Sequence, residues 1–130
     1  MLSHTTLGIT DVRRALNFYT PFMDALGLEL KFADAKWAGW KHPAADRPLF
    51  LITQPFDGLP AAPGNGPMVA LLASSRALVD RCHALALEFG GSDEGRPGLR
   101  PQYHPNYYGA YFRDPDGNKI CVCCHEPDAV

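Results

Sequence analysis

The chain has 130 residues, 46% of them hydrophobic, and a formal net charge of −2. That length suits one domain or two very small modules with a real buried core. The balanced charge advertises neither nucleic acid nor an anionic membrane, no stretch approaches the ~18 apolar residues of a membrane span, and Met1-Leu2-Ser3-His4 opens no signal peptide, so a cytoplasmic protein without nucleic-acid or membrane partners is expected.

Residues 3–10 read as a strand, and Asp11 is a helix N-cap candidate. Val12, Ala15, Leu16, Tyr19, Met23 and Leu26 then recur at the spacing of one helical face. Pro21 inside that pattern is expected to kink the helix or restart it, and Gly27 to end it. Residues 28–32 and 37–41 read as strands, 42–47 as a turn, and 49–54 as a third strand opened by Pro48. The Pro- and Gly-rich stretch 55–66 is a linker and the best internal boundary.

The second half starts with a strand at residues 67–73 and a helix capped by Ser74 or Ser75. Its apolar face is Leu78, Val79, Cys82, Leu85, Ala86 and Phe89, and Gly90-Gly91 stops it. His83 is expected to be partly exposed near the helix end. Residues 92–105 show only weak strand character, and Arg96 and Arg100 there read as solvated charges or as partners for an acidic ligand group. Residues 107–113 and 119–124 form two strands around Asp114-Pro115-Asp116-Gly117-Asn118, which is turn chemistry. A short polar tail follows from His125.

Cys121, Cys123 and Cys124 crowd into the last strand, with Cys82 on the second helix. Neighbours on a strand point to opposite faces, which makes a poor disulfide framework, so reduced thiols are expected. Cys121 and Cys123 should share one face, with Ile120 and Val122 on the other.

Sliding the first half along the second lays His4 on Met68, Asp11 on Ser75 and Gly27 on Gly91. Each half reads β-α-β-β-β: module one about residues 1–56, a linker about 57–65, module two about 66–126. The expected class is α+β, with two βαβββ modules forming curved mixed sheets around a central cavity. Such a cavity is a natural small-molecule site.

The His-Thr strand, the Asp-capped helix bearing Phe18-Tyr19 and ending at Leu26-Gly27-Leu28, and Asp114-Pro115-Asp116-Gly117-Asn118-Lys119-Ile120 together resemble the vicinal oxygen chelate superfamily. That group includes glyoxalase I, bleomycin-resistance proteins and extradiol dioxygenases. Tyr103-His104-Pro105-Asn106-Tyr107-Tyr108 resembles a stretch of its glyoxalase-like bacterial members. In the metal-dependent members, the resemblance implies, imidazole and carboxylate ligands come from the first and last strands of each half, and the metal acts as a Lewis acid. Carried over by position, those places hold His4, Leu51, Met68 and Cys121. One ligand type is retained, one becomes a thiol and two carry no suitable donor, so the metal site is degenerate and no cofactor is expected.

The resemblance therefore implies a protein that binds a small organic molecule between its sheets, probed by Trp37, Trp40, Phe50, Met68, Tyr103, Tyr107, Tyr108 and Cys121, and that pairs as a homodimer. His4 and His104 are acid–base candidates. The alternative is a lyase, isomerase or dioxygenase whose divalent metal is held by His4 and Cys121, with His104 swinging in.

Overall fold

The computed structural model describes residues 1–128. The chain runs β1 (His4–Gly8), α1 (Val12–Ala25), β2 (Glu29–Ala33), β3 (Trp37–Lys41), β4 (Leu49–Thr53), β5 (Met68–Leu72), α2 (Arg76–Glu88), β6 (Ser92–Leu99), β7 (Tyr108–Arg113) and β8 (Lys119–Cys124). Two four-stranded mixed sheets result, ordered β1-β4-β3-β2 and β5-β8-β7-β6. In each, the first strand pairs parallel with the last and the other pairs are antiparallel. The repetition seen in the sequence is a repetition of topology.

Local chemistry accounts for the boundaries. Asp11 accepts from the Arg14 N–H at 3.2 Å and Ser75 from the Leu78 N–H at 3.1 Å, each satisfying a donor that the first helical turn leaves free. Gly27 and Gly90 end the helices at φ values of 75° and 110°, where a side chain would be strained. The first helix does not break at Pro21; it continues to Ala25. Pro removes one donor, and the carbonyl it deprives belongs to Asn17 on the exposed side, within reach of water. Residues 92–99 form a full eight-residue strand despite Gly95, Pro97 and Gly98. It lies at a sheet edge and its register slips twice, the setting in which Pro and Gly are tolerated in a strand.

One core unites the modules. Phe18 and Phe22 of α1 meet Phe112 of β7 edge-on at 6.0 and 5.3 Å, while Tyr19 of the same helix packs on Trp40 and Phe50 of the first sheet. The helices therefore lie between the sheets, each touching the other and its own sheet. The other face of each sheet carries no helix. The sheets do not close on one another; a pocket of about 340 Å³ opens between the modules, lined by Thr5, Trp40 and Phe50 of the first and Met68 and Val69 of the second, among others, and further grooves lie on the helix-free faces.

The Asp114–Asn118 turn bolts the second module to the first. Asp114 is buried and accepts Tyr19 Oη at 2.6 Å and Asn118 Nδ2 at 2.9 Å on one oxygen, and the N–H groups of Asp116 and Asn118 on the other. Asn118 Nδ2 also donates to the Gly8 carbonyl at 2.7 Å. Asp116 Oδ1 accepts the Thr10 N–H and pairs with Arg14 at 2.9 Å. Burial, with Asp114 beside it, pushes the Tyr19 phenol well above its ordinary pKa.

His83 departs from expectation. It is buried against Phe112 and hydrogen-bonds Asp93 at 2.9 Å, because its helix turns that face to the sheet. All four cysteines are free. Ile120 and Val122 enter the core and Cys121 and Cys123 take the helix-free face, as strand alternation requires.

Candidate functional site

The helix-free face of the first sheet holds a groove of about 570 Å³ lined by His4, Thr6, Lys36, Trp37, Leu51 and Gln54, among others. Trp37 is its fixed wall. Its indole N–H donates to Asp34 Oδ2 at 3.1 Å and its ring lies 4.5 Å from Phe32, yet it stays 42% exposed. The Lys36 backbone N–H, followed by the backbone and indole N–H groups of Trp37, holds the Asp34 carboxyl below the usual range. His4 meets Ser3 Oγ at 2.9 Å and remains exposed.

The helix-free face of the second sheet is partly filled by its own loop, residues 100–107. Tyr107 lies across β7 and β8: its hydroxyl is 3.1 Å from Tyr111 Oη and 3.5 Å from Cys121 Sγ. Gly109 makes this possible, because a Cβ there would come within 2.8 Å of the Tyr107 ring. Tyr103 packs on Tyr107 at 4.9 Å. A groove of about 440 Å³ remains, lined by Met68, Tyr103, Tyr107, Tyr111, Arg113 and Lys119, among others.

The candidate ligand residues thus divide. Trp37 faces the first groove; Met68, Tyr103 and Tyr107 face the second. Cys121 is fully buried beneath Tyr107. Trp40 and Phe50 turn to the helix side, where Trp40 is 1% exposed, and with Met68 they line the pocket between the modules. Tyr108 also leaves the groove: it donates to Asp80 of α2 at 2.6 Å, a bond that pushes its pKa up to about 12. Strand parity carried the signal for that separation, since Tyr108 and Tyr107 are neighbours. The same parity places Tyr111, Arg113 and Lys119 in the groove, residues not singled out by the motif. Arg100 lies across the Tyr111 ring, and its side chain donates to the Arg96 carbonyl at 2.8 Å.

Beside Cys121 lies a chain of polar groups. Cys123 Sγ is 3.7 Å from His125 Nε2, His125 Nδ1 is 2.8 Å from His104 Nε2, and the Asn106 N–H donates to His104 Nδ1 at 3.1 Å. The two imidazoles stack at 5.1 Å. The two thiols lie on one side of β8 and shift in opposite directions: their mutual interaction and burial raise Cys121, while Cys121, Tyr107 and His125 together lower Cys123. His125, which the sequence places in a polar tail, thus belongs to this chain of groups, and its spacing of two from Cys123 is the signal for it.

Residues 1–122 match the profile of the Glyoxalase/Bleomycin resistance protein/Dioxygenase superfamily. The chain belongs to that superfamily. Among similar solved structures is a glyoxalase/bleomycin resistance protein from Albidiferax ferrireducens T118, 36% identical, covering 98% of this chain and 99% of that one with a TM-score of 0.85. A glyoxalase-related enzyme from Fulvimarina pelagi shares the fold at 18% identity, 95% and 87% coverage and a TM-score of 0.72. A family enzyme from Burkholderia phytofirmans PsJN does so at 13% identity, 95% and 98% coverage and 0.71. A comparison with curated proteins finds no match.

The superfamily name covers metal-dependent chemistry, and the residues at the corresponding positions do not fit it. His4 and Leu51 line the groove of the first sheet; Met68 and Cys121 belong to the second. Leu51 offers no donor, Met68 a thioether, and the Cys121 thiol is covered by Tyr107. His4 and Cys121 are not brought together, and His104 is engaged with His125. Among the described residues, no three His, Cys, Asp or Glu side chains gather as a metal would need. Nor is any described helix long and apolar enough to cross a membrane.

Proposed function

We propose that the protein binds a small amphipathic organic molecule with an aromatic part, without metal chemistry, on the helix-free faces of its sheets. The observation that carries this reading is Trp37: a half-exposed indole, fixed by Asp34 and Phe32, standing over a groove that also presents His4, Lys36 and Gln54. A rigid aromatic wall with a few polar groups is the composition of a ligand site, and Lys36 favours an acidic or phenolic substituent. The groove is shallow in one chain. A homodimer that lays the first sheet of one copy on the second sheet of its partner deepens it and covers the exposed Trp37, Met68 and Leu72. Four free thiols suit the cytoplasm.

The test uses the two tryptophans. Trp40 is buried and serves as an internal reference, while Trp37 reports the groove. Titration with a panel of small aromatic carboxylates and phenols should quench Trp37 emission saturably, and chelator treatment beforehand should change nothing. The reading is overturned if no member of the panel perturbs the emission, or if Trp37→Ala binds as tightly by calorimetry. It is also overturned if binding disappears on chelation and returns with zinc, nickel, iron or manganese.

A further inference from the structure

The second sheet holds an arrangement that the ligand reading does not use. Cys121, Cys123 and His125 alternate along one side of β8 and its continuation, and the 100–107 loop adds His104 and Tyr107 to the same side. The direction of each hydrogen bond follows from one backbone amide. The Asn106 N–H can only donate, so His104 Nδ1 accepts and the proton of neutral His104 sits on Nε2. That proton points at His125 Nδ1, which becomes an acceptor in turn. The ring proton of neutral His125 is therefore on Nε2, aimed at Cys123 Sγ. Cys121 Sγ instead meets the Tyr107 hydroxyl at 3.5 Å. Cys82 and Cys124 have the opposite role: each donates to a carbonyl, of Phe22 and Glu126 respectively. Of the four thiols only Cys123 faces an imidazole N–H, and such a donor stabilises a thiolate.

We propose that Cys123 is a nucleophilic thiol that captures a small α,β-unsaturated carbonyl compound, with His125 holding the sulfur and His104 positioning His125. The soft sulfur suits the soft β-carbon of a conjugated carbonyl. The nearby neutral phenol of Tyr111, on the wall of the adjacent groove, is a donor for the carbonyl oxygen. In the addition, the sulfur bonds to the β-carbon and the C=C π pair moves toward the α-carbon and carbonyl oxygen. The α-carbon then takes a proton from water, balancing the one Cys123 released on ionising. Nothing is oxidised or reduced and no group leaves. Cys123 is 3% exposed and Tyr107 packs on His125 at 5.3 Å, so the compound reaches the sulfur when the Tyr107 ring swings aside and His125 stays in place. The site is on the opposite sheet from Trp37 within one chain.

The experiment treats the full chain with 2-cyclohexenone and follows each cysteine by peptide mass spectrometry. Cys123 should be modified at least about tenfold faster than Cys82, Cys121 and Cys124. His125→Ala should slow Cys123 by about tenfold and move the midpoint of its pH–rate profile upward, with the circular dichroism unchanged; His104→Ala should move the same midpoint by less. Cys123→Ser should remove the fast adduct. Equal rates at the four thiols, a different cysteine reacting first, or a His125→Ala profile that matches the parent would each overturn the proposal. Should His125→Ala unfold, His125→Asn provides the same reading through its amide donor: a partial retention of rate supports the donor role, and an unchanged profile sinks it.

Discussion

Tyr19 illustrates how much of this molecule is decided by single buried polar groups. Its ring belongs to the aromatic core and its hydroxyl reaches Asp114 across the modules. Tyr19→Phe keeps the ring but leaves the Asp114 carboxylate one donor short, which should cost about 1–3 kcal/mol in denaturant unfolding. A tyrosine whose folded pKa lies above its unfolded value holds its proton more tightly when folded. Its contribution is complete below about pH 10 and is lost as pH rises beyond it. Burial raises Tyr19 and Tyr107, and the Asp80 bond raises Tyr108. Stability should therefore hold to about pH 10 and fall above it, and Tyr19→Phe should make that fall shallower in urea titrations at graded pH. Gly109 is the second deciding residue. Gly109→Ala brings a methyl into the Tyr107 ring, whose far end can swing away, so the expected outcome is faster alkylation of Cys121 and Cys123 rather than loss of fold.

At the scale of elements, the β7–β8 turn does more than reverse the chain. Its Asp114 and Asn118 side chains collect donors and a carbonyl from both modules, and Gly117, at a φ of 90°, lies against Pro63 of the linker. Asp114→Ala strands several buried donors at once and should cost about 3 kcal/mol or more. Asp116→Ala loses an ion pair with a half-exposed Arg14 and one backbone donor, and should cost less. Equal costs measured by thermal unfolding would contradict this ranking. The turn's letters were legible as turn chemistry and as a family marker; that they bolt two modules together was not, because their partners lie a hundred residues away in sequence.

For the whole molecule, two sheets share one core through their helices and leave their other faces open. Leu72 is 73% exposed on such a face, and Met68 and Trp37 stand on the same kind of surface. A homodimer is expected by sedimentation at micromolar concentration. Leu72→Glu should yield monomers with thermal stability of the isolated chain intact, since the side chain supports nothing within it. A parent chain that sediments as a monomer would remove the basis for the deepened groove.

The sequence by itself determined the order of elements, the caps, the repeat and the superfamily, because these rest on periodicity, turn chemistry and short-range hydrogen bonds. It also determined that the positions of His4, Leu51, Met68 and Cys121 lack a metal ligand set. Tertiary structure alone decided which face each aromatic takes. Trp40, Phe50 and Tyr108 went to the core and Trp37, Tyr103 and Tyr107 to the grooves, since a strand's parity is readable but the side that its helix covers is not. It alone brought His104 to His125 and Cys123, residues joined by a loop that folds back over its own sheet. Composition and spacing act locally; that loop's path is set by Gly109, which leaves room for one ring, and by the edge strand that precedes it.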